Sequence, residues 1–325
     1  MNLILSGLST LLLTLLCGFL SIPILKKIKA GQTVLKYVDT HKDKSGTPTM
    51  GGLFFIIPSA VVYFIFCLAQ SKIGTVAVVI GLSFMAVGFI DDFIKVYFKR
   101  NEGLKAYQKI IFQVSISVVA GLFSYINGLT VFYIPFIKKS IDFGVLSIPF
   151  VAFIFIAITN CVNLTDGLDG LAGSVSVVYL MGLLSLIIVQ NFFSEKFYRE
   201  NDYNALKILS VCLIGGVLGF LFFNVNKARV FMGDTGSLSL GGFIGAISIF
   251  SLNALFIPIL GIMFVVSGIS VIVQVIYYKR TRKRVFLMAP IHHHFQMKGF
   301  TETQISYAYS LITLIMVVLS VLFYL

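Results

Sequence analysis

The stretch Gly74-Thr-Val-Ala-Val-Val-Ile-Gly-Leu-Ser-Phe-Met-Ala-Val-Gly-Phe-Ile-Asp91-Asp92-Phe-Ile-Lys95-Val-Tyr97 decides the fold. It runs uncharged from Gly74 to Ile90 and then closes on two adjacent carboxylates and a lysine. A helix needs about 20 predominantly apolar residues to cross the hydrocarbon core of a bilayer. This segment meets that length and keeps its ionisable groups at one end. Charges at membrane edges are costly to hold there, so a cluster of them is first read as a functional site.

The rest of the chain repeats the pattern. Of 325 residues, 58% are hydrophobic and 12% charged, with a mean hydropathy of +0.98, whereas soluble domains carry roughly 25% charged residues. The apolar excess must face lipid. Ten spans are expected, at about 3–25, 50–70, 74–97, 108–127, 146–164, 170–190, 205–224, 238–256, 259–279 and 303–325. They form one all-α integral membrane domain covering 1–325, without internal repeat or hinge. Between Asn127-Gly128 and Phe143-Gly144, the β-prone segment Thr130–Ile137 reads as a hairpin outside the membrane. Cys17, Cys67, Cys161 and Cys212 lie in apolar stretches without CxxC spacing and read as buried hydrophobes.

Basic residues orient the bundle. With the first residues outside, 19 of the 25 Lys and Arg fall in cytoplasmic loops, as the positive-inside rule requires of an even number of spans with both termini extracytoplasmic. The net charge of +12 favours anionic lipid headgroups, and no nucleic-acid partner is expected. In this topology five polar islands reach the cytoplasmic face together. They are Ser45-Gly-Thr-Pro-Thr-Met-Gly-Gly52, Asp91-Asp92-Phe-Ile-Lys95, Asn163-Leu-Thr-Asp166-Gly-Leu-Asp169-Gly, the run from Asn224 through Phe231-Met-Gly-Asp234-Thr-Gly-Ser237, and Pro290-Ile-His-His-His294-Phe. Nine of the 13 carboxylates share that face. Polar loops and helix-end anchors explain any one island. They do not explain five converging.

Each island has its own chemistry. Asp91 and Asp92 would sit at a helix C-terminus, where the macrodipole disfavours anions, and adjacent carboxylates raise one another's pKa. A cation is therefore expected beside them: Lys95, a metal, or both. Such a pair suits general-base work. Asn163, Asp166 and Asp169 recur every three residues, so a helical turn would bring them towards one side. They are oxygen ligands for Mg²⁺ or partners for a nucleobase edge, and a helix N-cap explains one Asp at most. Asp234 reads as an N-cap or a metal ligand, and Phe231 as a stacking surface or an interfacial anchor. His292–His294 lack the patterns of a structural zinc site and lie near the basic run Lys279–Arg284, which favours phosphate. Thr47 and Thr49 offer hydroxyls in the turn that enters the second span.

These motifs closely resemble the phospho-N-acetylmuramoyl-pentapeptide-transferase family, within the polyprenyl-phosphate N-acetylhexosamine-1-phosphate transferases. The resemblance runs from the first span to the last. Asp-Asp and the Asn/Asp island are shared by the superfamily. Gly46-Thr-Pro-Thr-Met-Gly-Gly and Pro-Ile-His-His-His-Phe point to the muramoyl-pentapeptide branch. Gln296 departs from it, since that branch usually has Glu there. The resemblance implies transfer of phospho-MurNAc-pentapeptide from UDP-MurNAc-pentapeptide to undecaprenyl phosphate, giving lipid I and UMP, in a bacterial cell membrane. It implies Mg²⁺ on Asp234, with Asp91 and Asp92 lining the same centre and His292 and His293 in the chemistry. It also implies that Asn163, Asp166, Asp169 and Phe231 hold the nucleoside, with Thr49, Asn224 and His294 in the substrate site. Lys44, Lys95, Lys109, His292 and His293 would face phosphates, and a homodimer is implied as well. Two other readings start from the same residues: a GlcNAc-1-phosphate transferase, and a membrane transporter. A transporter should show repeated halves and mid-membrane acids, and this chain shows neither.

Overall fold

The computed structural model describes residues 2–27, 46–67, 71–100, 102–137, 139–193, 200–225 and 227–324. Lys44 and Ser45 lie outside the described residues. Helices dominate: α1 (Asn2–Lys27), α2 (Leu53–Cys67), α3 (Lys72–Tyr97), α4 (Ala106–Ile126), α5 (Ser147–Thr165), α6 (Leu171–Phe193), α7 (Glu200–Asn224), α8 (Gly233–Phe250), α9 (Ile257–Leu260), α10 (Ile262–Thr281), α11 (Ile291–Met297) and α12 (Glu302–Tyr324).

Among the described residues, eight helices are long and apolar enough to cross a membrane: α1, α3, α4, α5, α6, α7, α10 and α12. Two further expected spans correspond to α2 and α8. Helix α2 has 15 residues, a rise of about 22 Å. Helix α8 has 18 residues, and every one from Thr235 to Phe250 is buried. A helix that touches only protein needs no lipid-facing apolar surface, which is why its sequence is rich in Gly and Ser.

The peripheral helices are amphipathic in the reverse of the soluble sense. In α1 the buried positions are Ser6, Thr10, Thr14, Gly18 and Ile22, spaced by four, while Leu5, Leu8, Leu12, Leu16 and Leu20 are exposed. In α4 the buried face is Gln113, Ser117, Ala120, Gly121 and Ser124. Lipid competes for apolar surface as well as protein does, so helix interfaces select small and hydrogen-bonding residues. Ser117 Oγ donates to the carbonyl of Gln113, and Gln113 and Asn160 pair across to α5.

Helix α8 is the axis of the bundle and packs most closely on α3. Phe243 lies against Gly81, Phe84 against Gly242, and a Cβ at Gly88 would overlap the backbone carbonyl of Asp234. Ser239 Oγ donates to the Gly81 carbonyl at 2.9 Å. The small residues let the two backbones approach until the end of α3 reaches the start of α8.

The two ends of the bundle differ. At one, β1 (Val131–Ile134) and β2 (Lys139–Asp142) form an antiparallel hairpin, with Val131 opposite Asp142 and the second strand beyond the expected Thr130–Ile137 segment, and Tyr133 N–H donates to the Leu252 carbonyl. Ser71 with Asp202, and Gln190 with Asn253, join helices at that end. At the other end the loops that follow α3, α5, α7 and α10 meet one another.

Candidate active site

Helix α3 ends on Asp91, Asp92 and Lys95, and α8 begins beside them. Asp92 Oδ2 accepts from the Thr235 N–H at 2.9 Å and from the Thr235 hydroxyl at 2.7 Å. A carboxylate there satisfies an otherwise unpaired N–H of the first turn of α8 and lies at the positive end of its dipole. That offsets the penalty of standing at the C-terminal end of α3. Asp92 is fully buried, and its Oδ1 accepts no hydrogen bond. Among the described residues its ammonium neighbour is Lys95, with Nζ at 3.8 Å.

Asp91 faces the other way. Its Oδ1 accepts from the Leu104 N–H at 2.9 Å, and its Oδ2 lies 2.6 Å from Lys95 Nζ, one helical turn on as the sequence spacing predicted. Asp234, in the first turn of α8 rather than at its cap, joins the group from below. Its Oδ2 accepts from Lys95 at 3.0 Å and Lys109 at 2.7 Å. Its Oδ1 accepts from Asn163 Nδ2 at 2.7 Å, and Asn163 also donates to Ser237 Oγ at 2.8 Å. Lys109 Nζ is 3.6 Å from Asp91 Oδ1.

One oxygen from each of Asp91, Asp92 and Asp234 lies within 4.8 Å of the others. All three are hard oxygen donors, and Asp92 Oδ1 is a buried acceptor with nothing bound. Mg²⁺ takes oxygen ligands at about 2.0–2.1 Å and keeps several waters. One or two direct carboxylates with water bridging the rest suit that spread, so the residues present fit a magnesium ion. With formal charges, three carboxylates and two ammoniums leave the cluster at −1.

The turn Gly46–Gly52 is stitched to the segment before α8. Phe231 N–H donates to the Pro48 carbonyl, Gly51 N–H to Phe231 and Gly52 N–H to Met232, at 2.8, 2.9 and 3.0 Å. The Thr49 hydroxyl is buried with no partner and sits at the metal cluster: a Cβ on Gly233 would come within 2.6 Å of it and would overlap Asp92 Oδ2. Gly233 also has φ +71°, so a side chain is excluded both by conformation and by space. Phe231 is half-buried.

The Asn163–Gly170 island does not continue as a helix, so its three acids do not share one face. Helix α5 stops at Thr165 with Asp166 as its C-cap. Asn163 turns to Asp234, whereas Asp169 Oδ2 accepts from the Ala228 N–H and the Asp169 N–H donates to Glu302 Oε2, both at 2.9 Å. Asn224 accepts from the Gly170 N–H and donates to the Val230 carbonyl. Asp169 and Asn224 thus tie the turn to the loop that carries Phe231. Burial, reinforced by the negative charges of Asp234, Asp92 and Asp169, pushes the Asp166 carboxyl up to about 8.

The histidines form the far wall. His292 and His293 lie on α11 with ring centroids 4.4 Å apart. Both Nε2 atoms converge on Gly167: a Cβ there would overlap His292 Nε2 and come within 3.1 Å of His293 Nε2. His292 is fully buried with neither ring nitrogen bonded, and burial, then His293, pushes its pKa down to about 3. It is therefore neutral near pH 7. His294 points elsewhere, its Nδ1 accepting from the Leu287 N–H at 3.1 Å, and so holds the loop between α10 and α11.

The structure thus joins Thr49, Asp91, Asp92, Lys95, Lys109, Asn163 and Asp234 in one cluster, with His292 and His293 beside the Asp166 turn. His294, Asp169 and Asn224 brace the surrounding loops. Sequence reasoning missed Thr235, Ser237, Glu302 and the Leu104 N–H. Thr235 and Ser237 lay inside a quoted motif, whereas nothing in the sequence marked Leu104.

The chain is similar to known proteins over nearly its whole length. A family model described as glycosyl transferase family 4 matches residues 74–252, and the phospho-N-acetylmuramoyl-pentapeptide-transferase signature 1 matches residues 44–56. A phospho-N-acetylmuramoyl-pentapeptide-transferase of Clostridium novyi (strain NT) is 41% identical over 96% of this chain and 93% of its own. One from Clostridioides difficile (strain 630) is 41% identical over 98% and 96%. The chain belongs to the phospho-N-acetylmuramoyl-pentapeptide-transferase family. A relative of that name from Thermoanaerobacter pseudethanolicus is 41% identical over 98% of both chains. As a phospho-N-acetylmuramoyl-pentapeptide-transferase family member the chain is an enzyme that transfers a glycosyl-1-phosphate group. The matched glycosyl transferase segment contains all three carboxylates, both lysines and Asn163.

Proposed function

We propose that the enzyme transfers phospho-MurNAc-pentapeptide from UDP-MurNAc-pentapeptide to undecaprenyl phosphate, giving lipid I and UMP. The observation that carries this reading is the cluster of Asp91, Asp92, Asp234, Lys95 and Lys109 at one end of a membrane bundle. A polar nucleotide donor and a lipid acceptor can meet only where water touches acyl chains. We assign that end to the cytoplasm, with ten spans and both termini outside, in a bacterial cell membrane.

An oxygen of the acceptor phosphate attacks the sugar-bearing phosphorus. The new P–O bond forms as the bridging P–O bond breaks, and UMP leaves. Mg²⁺ held by Asp234, with Asp91 and Asp92 beside it, supplies charge for the diphosphate when bound. The three carboxylates and two ammoniums sum to −1, so a divalent cation held there would turn the site to +1 towards an anionic donor. Lys95 and Lys109 hold Asp234 in place and present ammoniums to the phosphates. Asp91 accepts the proton of a monoprotonated acceptor, being free of the helix-capping duty that occupies Asp92. Asn163, Asp166 and Phe231 take the nucleoside side, with Lys44 among the phosphate contacts.

Purified protein given UDP-MurNAc-pentapeptide, undecaprenyl phosphate and Mg²⁺ should release UMP, and leaving out either the lipid or the metal should stop it. UMP release from UDP-GlcNAc instead would support the GlcNAc-1-phosphate branch. Absence of UMP from both donors would defeat the transferase reading.

A further inference from the structure

The site described above leaves one polar neighbour of the histidines without a role. Gln296, one helical turn after His293 on α11, places its Oε1 3.1 Å from His293 Nδ1. With its amide oxygen towards the ring, Gln296 can only accept, so this contact is a hydrogen bond when the hydrogen lies on His293 Nδ1. An imidazole with Nδ1–H in its neutral form has a bare Nε2, and protonation adds a hydrogen only there. The same Gln296 contact serves both states. On the other side of the ring, His293 Nε2 approaches Gly167, beside His292, whose two nitrogens are buried and unbonded. Gln296 therefore stands behind the ring while the Nε2 edge faces the turn that carries Asp166.

We propose that Gln296 is a positioning residue that fixes His293 as the Nδ1–H tautomer, making Nε2 the one atom at which this histidine accepts a hydrogen bond and exchanges a proton with bound substrate. Neutral His293 then receives a donor N–H or O–H of the nucleotide, and charged His293 becomes a donor at the same atom. This deepens the transferase reading and rests on it for the identity of the ligand. The choice of an amide matters. A carboxylate at 296 would hold Nδ1–H too, but would also favour the imidazolium by its charge. An apolar residue would release the ring to both tautomers. The hydrogen-bond partner of the far nitrogen commonly sets which nitrogen of a histidine is protonated.

The other titratable groups near α11 are His292 and His294 on the same helix and Lys298 at its end, Asp166 and Asp169 in the turn after α5, Tyr277, Tyr278, Lys279 and Arg280 in the last turns of α10, and Glu302, Tyr307 and Tyr309 in the first half of α12. All of them stay constant when only position 296 is changed, so a difference between variants isolates this contact.

The chain has only four histidines, which makes nitrogen-15 spectra of histidine-labelled protein in detergent tractable, with each ring assigned by a His→Gln variant. The wild type without substrates should show His293 protonated on Nδ1 and bare on Nε2. Gln296→Glu should raise its titration midpoint by about one pH unit or more, and Gln296→Leu should give a mixture of tautomers. In UMP release, Gln296→Glu should move the acid limb of the kcat/KM profile upward by the same interval. A wild-type ring protonated on Nε2 with Nδ1 bare would overturn the proposal, as would a Gln296→Leu protein with an unchanged tautomer. A shifted midpoint with an unmoved kcat/KM limb would overturn the link to substrate. The spectra need no turnover, so if no UMP were released from any donor the transferase reading would fall while the tautomer assignment stood on its own result.

Discussion

Replacing Asp234 with Asn removes one charge and almost no volume, so it isolates the electrostatics of the cluster. Asp234 accepts from Lys109 at 2.7 Å, Lys95 at 3.0 Å and Asn163 at 2.7 Å. All three partners are donors. An amide can offer its oxygen to the lysines or to Asn163, and whichever side faces its NH₂ group meets donor against donor. Charge-assisted hydrogen bonds contribute about 1.5–3 kcal/mol each, and a neutral acceptor keeps roughly half of that. The loss from two lysine contacts is then about 1.5–3 kcal/mol. The fold should survive, because Lys95 keeps Asp91 and the α3–α8 contact through Thr235 is untouched. Turnover should fall at least about 100-fold, about 2.7 kcal/mol of barrier, since the variant loses an anionic oxygen both for the metal and for positioning the ammoniums. UMP release from purified protein, run beside thermal unfolding in detergent, separates the two effects. If the Asp234→Asn enzyme folds and keeps more than about a tenth of the wild-type rate, a loss under about 1.4 kcal/mol, Asp234 is not the principal ligand and the assignment fails.

Gly233→Ala should cost about 1–2 kcal/mol for the left-handed backbone alone. It should also lower turnover by pushing Asp92 Oδ2 and Thr49 away, so the unfolding midpoint and UMP release should both fall, and an unchanged rate would refute the close approach. Asp166, pushed up to about 8, binds its proton more tightly folded than unfolded. Its contribution is therefore complete below about pH 4 and is lost as pH rises towards 8, at up to about 1.4 kcal/mol per unit and less for partial exposure. Relative to wild type, Asp166→Asn should gain stability across that window, which unfolding midpoints at pH 5, 6, 7 and 8 will show; a flat difference would contradict it. With native cysteines removed, a cysteine at Arg282 should react with an impermeant thiol reagent only from the cytoplasmic side and one at Ser140 only from outside; the reverse pattern would invert the topology. Rapid mixing with UDP donor and Mg²⁺ but no lipid should give no burst of UMP, whereas a stoichiometric burst with sugar phosphate left on the protein would replace direct attack by a covalent route.

The helices were legible because lipid imposes one rule on all of them, length and apolarity, and the hairpin because Gly128 and Gly144 bracket β-prone residues. Helix α8 reads weakly as a span for the reason that makes it central: surrounded by protein, it carries Gly and Ser where a lipid-facing helix carries Leu. The site's membership was legible wherever a charge interrupts an apolar run, as at Asp91, Asp92 and Asp234. What each residue does was less so. A three-residue spacing suggested that Asn163, Asp166 and Asp169 share a helical face, yet α5 stops at Thr165 and sends them to different partners. The three adjacent histidines divide in the same way, since a helix turns each neighbour by about 100° and delivers His294 to the Leu287 loop. Backbone donors such as the Leu104 N–H leave no trace in sequence at all.

The pairing of α3 with α8 has a consequence for how the chain is made. Lys95 and Asp234 are partners separated by 139 residues. A ribosome adding roughly 5–20 residues per second inserts the end of α3 about 7–28 s before Asp234 exists. During that interval Asp91 and Asp92 stand at the membrane edge without α8. The Asp91–Lys95 contact, made within a single helical turn, is available from the moment α3 emerges and halves the charge that must wait. The lysine that later steadies the active site thus also chaperones it, and a protein lacking Lys95 should lose yield during insertion as well as turnover once assembled.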